Sequence, residues 1–202
     1  MRIGILGGTF NPPHLGHLVC GQEARLRLGL DKVLLIPARV PPHKQVEAEP
    51  GPEHRLELCR LAVQADERFE VSTLEMDRNE PSFTVDTLEI LVSQAPHPEL
   101  FLIVGGDIAA GLPRWRRPER VLELATLAVA QRAGTSRAAV EAALAQVPGG
   151  ERTVFFEMPR IDISSSAVRQ RVGAGEPVRY LVPDAVAGWI DQHGLYGGGQ
   201  RG

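Results

Sequence analysis

Short runs of isoleucine, leucine and valine alternate along this chain with longer stretches in which apolar residues recur every three or four positions. The runs Arg2-Leu6, Lys32-Ile36, Phe69-Thr73, Leu100-Val104, Thr126-Ala130 and Thr153-Phe156 predict strands. They alternate little between apolar and polar, which suits strands covered on both faces, as in a parallel sheet. Between them Gly16-Leu28, Pro52-Ala65, Thr84-Ser93, Pro118-Glu123 and Thr135-Gln146 carry the helical period. A repeated strand-then-helix order predicts an α/β fold with a Rossmann-like, doubly wound parallel sheet. After the sixth strand the rhythm changes. Ser165-Val172 and Pro183-His193 predict two closing helices, a small C-terminal helical subdomain over about 163-196. The glycine-rich tail, 197-202, is expected to fray. The proline-rich segment Val40-Glu53 reads as a mobile loop. With no internal repeat and no linker composition, residues 1-196 are expected to form a single domain.

Composition narrows the class. The chain has 202 residues, 43% of them hydrophobic and 23% charged, enough apolar material for one sizeable core. A formal net charge of -3 argues against a nucleic-acid partner, which needs a basic face. Any anionic substrate must be held by local charge and backbone N–H groups rather than by the global field. Cys20 and Cys59 form no CxxC and fall in helical patterns, so both are expected to be buried, inert thiols. No stretch reaches the apolar length of a membrane span, and Met1-Arg2 leads straight into a strand, so a reducing cytoplasm is the expected setting. The pattern leaves a homo-oligomer open.

The first strand runs into Gly7-Gly8-Thr9-Phe10-Asn11-Pro12-Pro13-His14-Leu15-Gly16-His17. In open parallel sheets ligands bind beyond the carboxyl ends of strands. Gly7 and Gly8 leave no side chain between the backbone and an incoming phosphate. A helix opening between His14 and His17 would aim free N–H groups and its positive dipole end at the same space. Three apart on a helical turn, the two histidines share a face at about 5–6 Å. They suit hydrogen bonds to phosphate oxygens; a metal site would need further ligands, and none accompanies them. The turn is neither a dehydrogenase fingerprint nor a Walker P-loop.

Far along the chain, Ile163-Ser164-Ser165-Ser166-Ala167-Val168-Arg169 has the grammar of a helix start. A serine caps it, N–H groups are free for an anion, and Arg169 shares a face with Ser165. Alone, this is equally a plain cap with a solvated arginine. Three more segments carry candidate chemistry. Lys44 ends a Pro41-Pro42-His43-Lys44 run, where it can neutralise a phosphate or merely sit in solvent. Ser82-Phe83-Thr84 opens a helix whose N–H groups near Thr84 suit a carboxylate. Asp107, after Gly105-Gly106 at a strand's end, is placed for a ribose hydroxyl or a magnesium-bound phosphate. Trp115, on an arginine-flanked turn, suits stacking on a flat ring or sealing of a domain edge.

Gly7-Gly8-Thr9-Phe10 with His14-Leu15-Gly16-His17 resembles the HxGH signature of the nucleotidylyltransferase superfamily, and Ile163-Ser164-Ser165-Ser166 with Arg169 resembles its second signature, ISSTxxR, with serine for threonine. The PPHK run, the Ser82-Leu88 segment, Gly105-Gly106-Asp107 with Leu112-Pro113-Arg114-Trp115, and the tail Tyr180-Tyr196 are similar to the nicotinate mononucleotide branch. The chain is thereby identified as a member of the bacterial nicotinate-nucleotide adenylyltransferases. That resemblance implies transfer of the adenylyl group of ATP to nicotinic acid mononucleotide. It implies ATP contacts at Gly7, Gly8, Thr9, Phe10, His14, His17, Gly105, Asp107, Ile163, Ser164, Ser165 and Arg169, with His14, His17 and Arg169 catalytic. Acceptor contacts fall to Lys44, Thr84, Trp115 and the backbone of Arg116. Magnesium is expected to enter mainly on the ATP phosphates rather than at a protein metal site. The competing readings are an enzyme preferring nicotinamide mononucleotide and a regulatory protein that binds ATP without turning it over.

Overall fold

The computed structural model describes residues 1-40, 50-78, 81-94, 98-131 and 136-197. The elements, in chain order, are β1 (Arg2–Gly8), α1 (Leu15–Leu28), β2 (Lys32–Pro37), α2 (Pro52–Val63), β3 (Phe69–Val71), α3 (Thr84–Gln94), β4 (Glu99–Gly105), α4 (Gly106–Ala110), α5 (Pro118–Leu124), β5 (Thr126–Gln131), α6 (Arg137–Leu144), β6 (Val154–Glu157), α7 (Ser165–Gly173) and α8 (Asp184–Gln192). The strands form one six-stranded sheet in the order β3-β2-β1-β4-β5-β6. Parallel ladders join β1 to β4, β4 to β5 and β5 to β6, with Ile3 opposite Leu100 and Leu102 opposite Leu127. This is the expected doubly wound α/β fold, and its order turns at β1, the strand that ends in the glycine pair.

The apolar runs became strands because both their faces are covered: Ile3–Leu6, Leu100–Ile103 and Leu127–Ala130 are all buried. Helix starts follow local chemistry. Pro52 occupies the first turn of α2 and Pro118 that of α5, where a missing N–H costs nothing. Ser136 caps α6 by accepting from Ala139 N–H, and Ser164 caps α7 by accepting from Ala167 N–H. Helix α4 departs from expectation. Five residues are too few for a period to show, and the Gly105-Gly106 pair reads as a turn.

The chain falls into two compact units of interleaved segments. One comprises Met1–Leu6, Val19–Leu34 and Ser82–Arg160. Within it the crossing of β1 is tight. A Cβ on Gly4 would lie 2.8 Å from methyl carbons of both Ile103 and Leu30, so only glycine fits without displacing them. The other comprises Gly7–Leu18, Leu35–Pro81 and Ile161–Gly202. Its core gathers Leu58 of α2 with Val168 and Val172 of α7, Val186 and Ile190 of α8, and Val178, Val182 and Leu195 from the connecting chain. Cys59 is buried here, whereas Cys20 is half-buried, so only one thiol is as enclosed as its helical pattern suggested. Among the described residues no helix is long and apolar enough to cross a membrane.

Candidate active site

Both signature motifs fold within the second unit, against the loop that follows β1. At Gly7, near the end of β1 before that loop, a Cβ would meet no atom within 4 Å, so the backbone faces open space. At Gly8 a Cβ would come within 3.3 Å of the Phe10 ring. Phe10 is itself buried and held at φ 49°, in the left-handed region that a phenylalanine adopts only under constraint.

Helix α1 opens with His14 at its N-cap. The His14 carbonyl accepts from the N–H groups of His17 (2.9 Å) and Leu18 (3.4 Å), while His14 N–H donates to Nδ1 of His17 at 3.2 Å. This is the return half of a capping box, with a histidine doing what glutamate or glutamine usually does at the third helical position. It has a chemical consequence. With Nδ1 of His17 accepting, the neutral imidazole carries its proton on Nε2, which becomes a hydrogen-bond donor. The two rings stack with centroids 3.7 Å apart and planes 28° from parallel, and Phe10 meets His17 edge-on at 5.0 Å. Gly16 makes the stack fit: a Cβ there would stand 3.0 Å from Cε1 and Nδ1 of His14. The sequence spacing put the two histidines on one face; the structure brings them into ring contact.

The second motif grips the same loop from the C-terminal side. Ser165 Oγ donates to the carbonyl of Pro12 at 2.8 Å, and Arg169 Nη1 donates to the carbonyl of Asn11 at 2.9 Å. Arg169 Nη2 reaches Ser166 Oγ at 3.4 Å. Tyr196 hydroxyl donates to Asn11 Oδ1 at 2.7 Å, and Leu15 N–H donates to the carbonyl of Leu181 at 3.0 Å. Ile163 is half-buried against the apolar cluster under α7. The N-terminus of α7, capped by Ser164, thus stands beside the histidine loop, where first-turn N–H groups and the guanidinium of Arg169 are chemically suited to an anion.

The acceptor-side candidates Thr84, Trp115 and Arg116, and the nucleotide candidates Gly105 and Asp107, lie in the other unit. Thr84 is the first residue of α3, after the carbonyl of Phe83, which accepts from Asp86 and Thr87 N–H. The side chain of Arg116 lies over the Phe83 ring, its Cζ 4.7 Å from the centroid, and its Nη1 is 3.6 Å from Asp86 Oδ2. Trp115 ends a short 3-10 turn, Leu112–Arg114, and is half-exposed. Gly105 caps α4 and Asp107, in its first turn, is exposed. Lys44 lies outside the described residues.

Three residues around the histidine loop escaped the sequence reading: Asn11, Tyr196 and Arg55. Arg55, on α2, is 1% exposed and donates to the carbonyls of Thr9, Ala38 and Arg39. A signal existed for it. Arg55 falls on the buried stripe of α2 with Leu58, Cys59 and Val63, and an arginine in a core-facing position demands fixed acceptors. Asn11 and Tyr196 fall in segments the motifs covered, but nothing in them shows their partnership, which spans 185 residues of chain.

Among the described residues no group of three or more His, Cys, Asp or Glu side chains is placed to hold a metal ion. The histidine loop and α7 offer donors and a cation, a set suited to phosphate oxygens rather than to a bare cation.

Comparison with known proteins bears on family and fold. The model of the cytidylyltransferase-like family matches residues 5–171. A protein of Roseiflexus sp. (strain RS-1) named "Probable nicotinate-nucleotide adenylyltransferase" is 49% identical over 197 residues, covering 96% of this chain and 97% of that one. The nicotinate-nucleotide adenylyltransferase of Bacillus subtilis (strain 168) is 35% identical over 195 residues, covering 96% and 98%. Among solved structures, the Plasmodium falciparum nicotinic acid mononucleotide adenylyltransferase complexed with APC superposes with a TM-score of 0.77 over 97% of both chains. At 16% sequence identity, that likeness speaks for the fold.

Proposed function

The chain belongs to the cytidylyltransferase-like family, and from that premise we propose that it transfers the adenylyl group of ATP to nicotinic acid mononucleotide, yielding nicotinic acid adenine dinucleotide and pyrophosphate. The observation that carries the reading is the joining of the two signature motifs on one loop, with His17 locked as an Nε2–H donor. The reaction is an in-line displacement. An oxygen of the acceptor's 5′-phosphate forms a bond to the α-phosphorus of ATP, the bond from that phosphorus to the bridging oxygen breaks, and pyrophosphate leaves with the electron pair. The attacking oxygen is already ionised at neutral pH, so no protein nucleophile and no covalent intermediate are required.

Catalysis then rests on position and charge. His17 donates from Nε2 to the phosphates as negative charge shifts toward the leaving group, and His14, stacked on it, holds the ring and adds a second imidazole. Gly7, Gly8, Thr9 and Phe10 present backbone to the nucleotide. Ser164, Ser165 and Ile163 start the helix whose N–H groups face phosphate, and Arg169 turns further N–H groups toward it while anchored on Asn11. Gly105 and Asp107 contribute to the nucleotide at the carboxyl end of β4. Magnesium entering with ATP would supply positive charge for the leaving pyrophosphate, and Asp107, an exposed carboxylate in the first turn of α4, would help to hold it.

On the acceptor side, the N–H groups at the start of α3, from Thr84, meet the nicotinate carboxylate, and Trp115 stacks on the pyridine ring. The backbone of Arg116 adds a donor, and Lys44 neutralises the acceptor's phosphate. The ion pair of Arg116 with Asp86 bears on selectivity, because it offsets an acidic side chain in the very helix turn that must accept a carboxylate.

The test is magnesium- and ATP-dependent pyrophosphate release with the acid and amide mononucleotides side by side. Strong preference for the acid is the expected result. Preference for the amide would overturn the account of the carboxylate site. ATP binding without pyrophosphate release from either would mark a sensor instead.

A further inference from the structure

Arg55 is a fully buried cation on α2, and the fork of its guanidinium spans two loops. Nη1 donates to the carbonyl of Thr9 at 3.0 Å and to that of Ala38, and Nη2 donates to the carbonyl of Arg39 at 2.9 Å. Thr9 lies in the loop after β1; Ala38 and Arg39 lie in the segment after β2. The same two stretches meet directly, since Ala38 N–H donates to the carbonyl of Gly8 at 2.9 Å. Arg39 is held at its far end too, where Nη1 donates to the carbonyl of Met76 at 2.8 Å.

Burying a guanidinium is unfavourable unless its donors are satisfied, and the planar fork satisfies them only when the carbonyls stand in fixed positions. The requirement works in both directions: the carbonyls settle the arginine, and the arginine dictates where Thr9, Ala38 and Arg39 point. Its Coulombic reach also touches Cys59, one helical turn on, where it opposes the upward push that burial gives the thiol.

We propose that Arg55 is a positioning residue for nucleotide binding, holding the Gly7–Phe10 backbone in the shape that receives the ATP phosphates. It touches no reacting atom. The inference rests on the reading of that loop as the phosphate loop. Without the fork, Thr9 and Ala38 lose a shared anchor and the loop samples shapes that cannot bind. The apparent affinity for ATP then falls in proportion to the binding-competent fraction, while turnover at saturating ATP is largely kept, because bound nucleotide selects the competent shape.

The experiment uses the full chain with Arg55→Lys and Arg55→Met. Lysine keeps the charge but not the fork; methionine keeps apolar bulk without the charge or its donors. For whichever variants melt cooperatively, the expected result is an ATP KM, and an ATP Kd without acceptor, raised about tenfold or more with kcat within about threefold. Exchange of the Ala38 amide hydrogen is expected to quicken by a similar factor, while amides of α7 and α8 keep their protection. A lower melting temperature with ATP affinity and Ala38 exchange unchanged would reduce Arg55 to a packing residue and overturn the proposal. Wild-type protein that binds ATP but releases no pyrophosphate would sink the proposed reaction alone, since Kd and exchange still decide the role of Arg55. Wild-type protein that binds no ATP would end both.

Discussion

The histidine loop and the acceptor-side turn are held by different kinds of bond. Around the loop the anchors are hydrogen bonds between partners far apart in sequence: Arg55 to Thr9, Ser165 to Pro12, Arg169 to Asn11 and Tyr196 to Asn11. Most of them end on backbone carbonyls, and Asn11 is only 2% exposed. Around the acceptor-side turn the ties are ion pairs of half-exposed side chains: Arg116 with Asp86, and Arg117 and Arg120 with Glu89. Surface pairs of this sort are screened by solvent and add little, whereas a buried donor or acceptor left unmade costs about 1–3 kcal/mol. If the loop receives ATP as proposed, a backbone cradle fixed from several directions suits a triphosphate that is the same in every turnover. On the same reading, the backbone donors that would meet the acceptor's carboxylate sit among side chains that can change without unsettling the fold.

The sharpest way to break that contrast is to remove the group proposed to donate as charge develops. His17→Ala is expected to lower turnover by about 100-fold or more, the usual cost of losing a main transition-state donor. It also removes the acceptor for His14 N–H, so a stability loss of about 0.5–2 kcal/mol is expected alongside. Stopped pyrophosphate assays and a urea melt separate the two; a folded variant with near-normal turnover would take His17 out of catalysis. The acceptor side should respond more mildly. Trp115→Ala is expected to raise the KM for the acid mononucleotide about tenfold, as befits a lost stacking surface, with the KM for ATP within about twofold. If both constants stayed put, the tryptophan would be sealing a domain edge and not binding a ring.

The same contrast explains what was legible in the sequence. Local chemistry could be read directly. The histidines three apart lie on one helical face, Ser164 caps α7, and the apolar runs became covered strands. What could not be read were relations that only the fold creates. Nothing near Arg55 in sequence names Thr9 as its partner, and nothing near Asn11 points to Tyr196. The side chain of Arg116 illustrates the same limit, since its place over Phe83 and beside Asp86 depends on how two turns of the chain meet. Helix α4 stayed hidden for a local reason: a glycine pair masked a helix too short to show a period.

The smallest effect is silent at neutral pH and tests burial directly. Cys59 sits one helical turn from Arg55, and burial pushes its thiol far above the ordinary value of 9.0, with Arg55 pulling it part of the way back. The folded chain therefore keeps this proton over a range in which the unfolded chain releases it. The unfolded state then binds fewer protons, so stability falls as pH rises through 9, by up to about 1.4 kcal/mol per pH unit. Glu89, near the acceptor-side turn, shows the opposite case. The hydrogen bond from Arg120, more than any other contact, holds its carboxyl below 4.5. Its contribution is present above that value and lost as pH falls, and its exposure to solvent keeps it small. Urea unfolding of the wild type at several points from about pH 8 to about pH 10.5 is expected to show the alkaline decline, and Cys59→Ala to flatten it. The alanine variant loses some packing at every pH, so the slope carries the information and the offset does not. An equal slope in both proteins would mean that the thiol on the buried face of α2 is reached by water, and that this unit is less tightly closed than its hydrogen bonds imply.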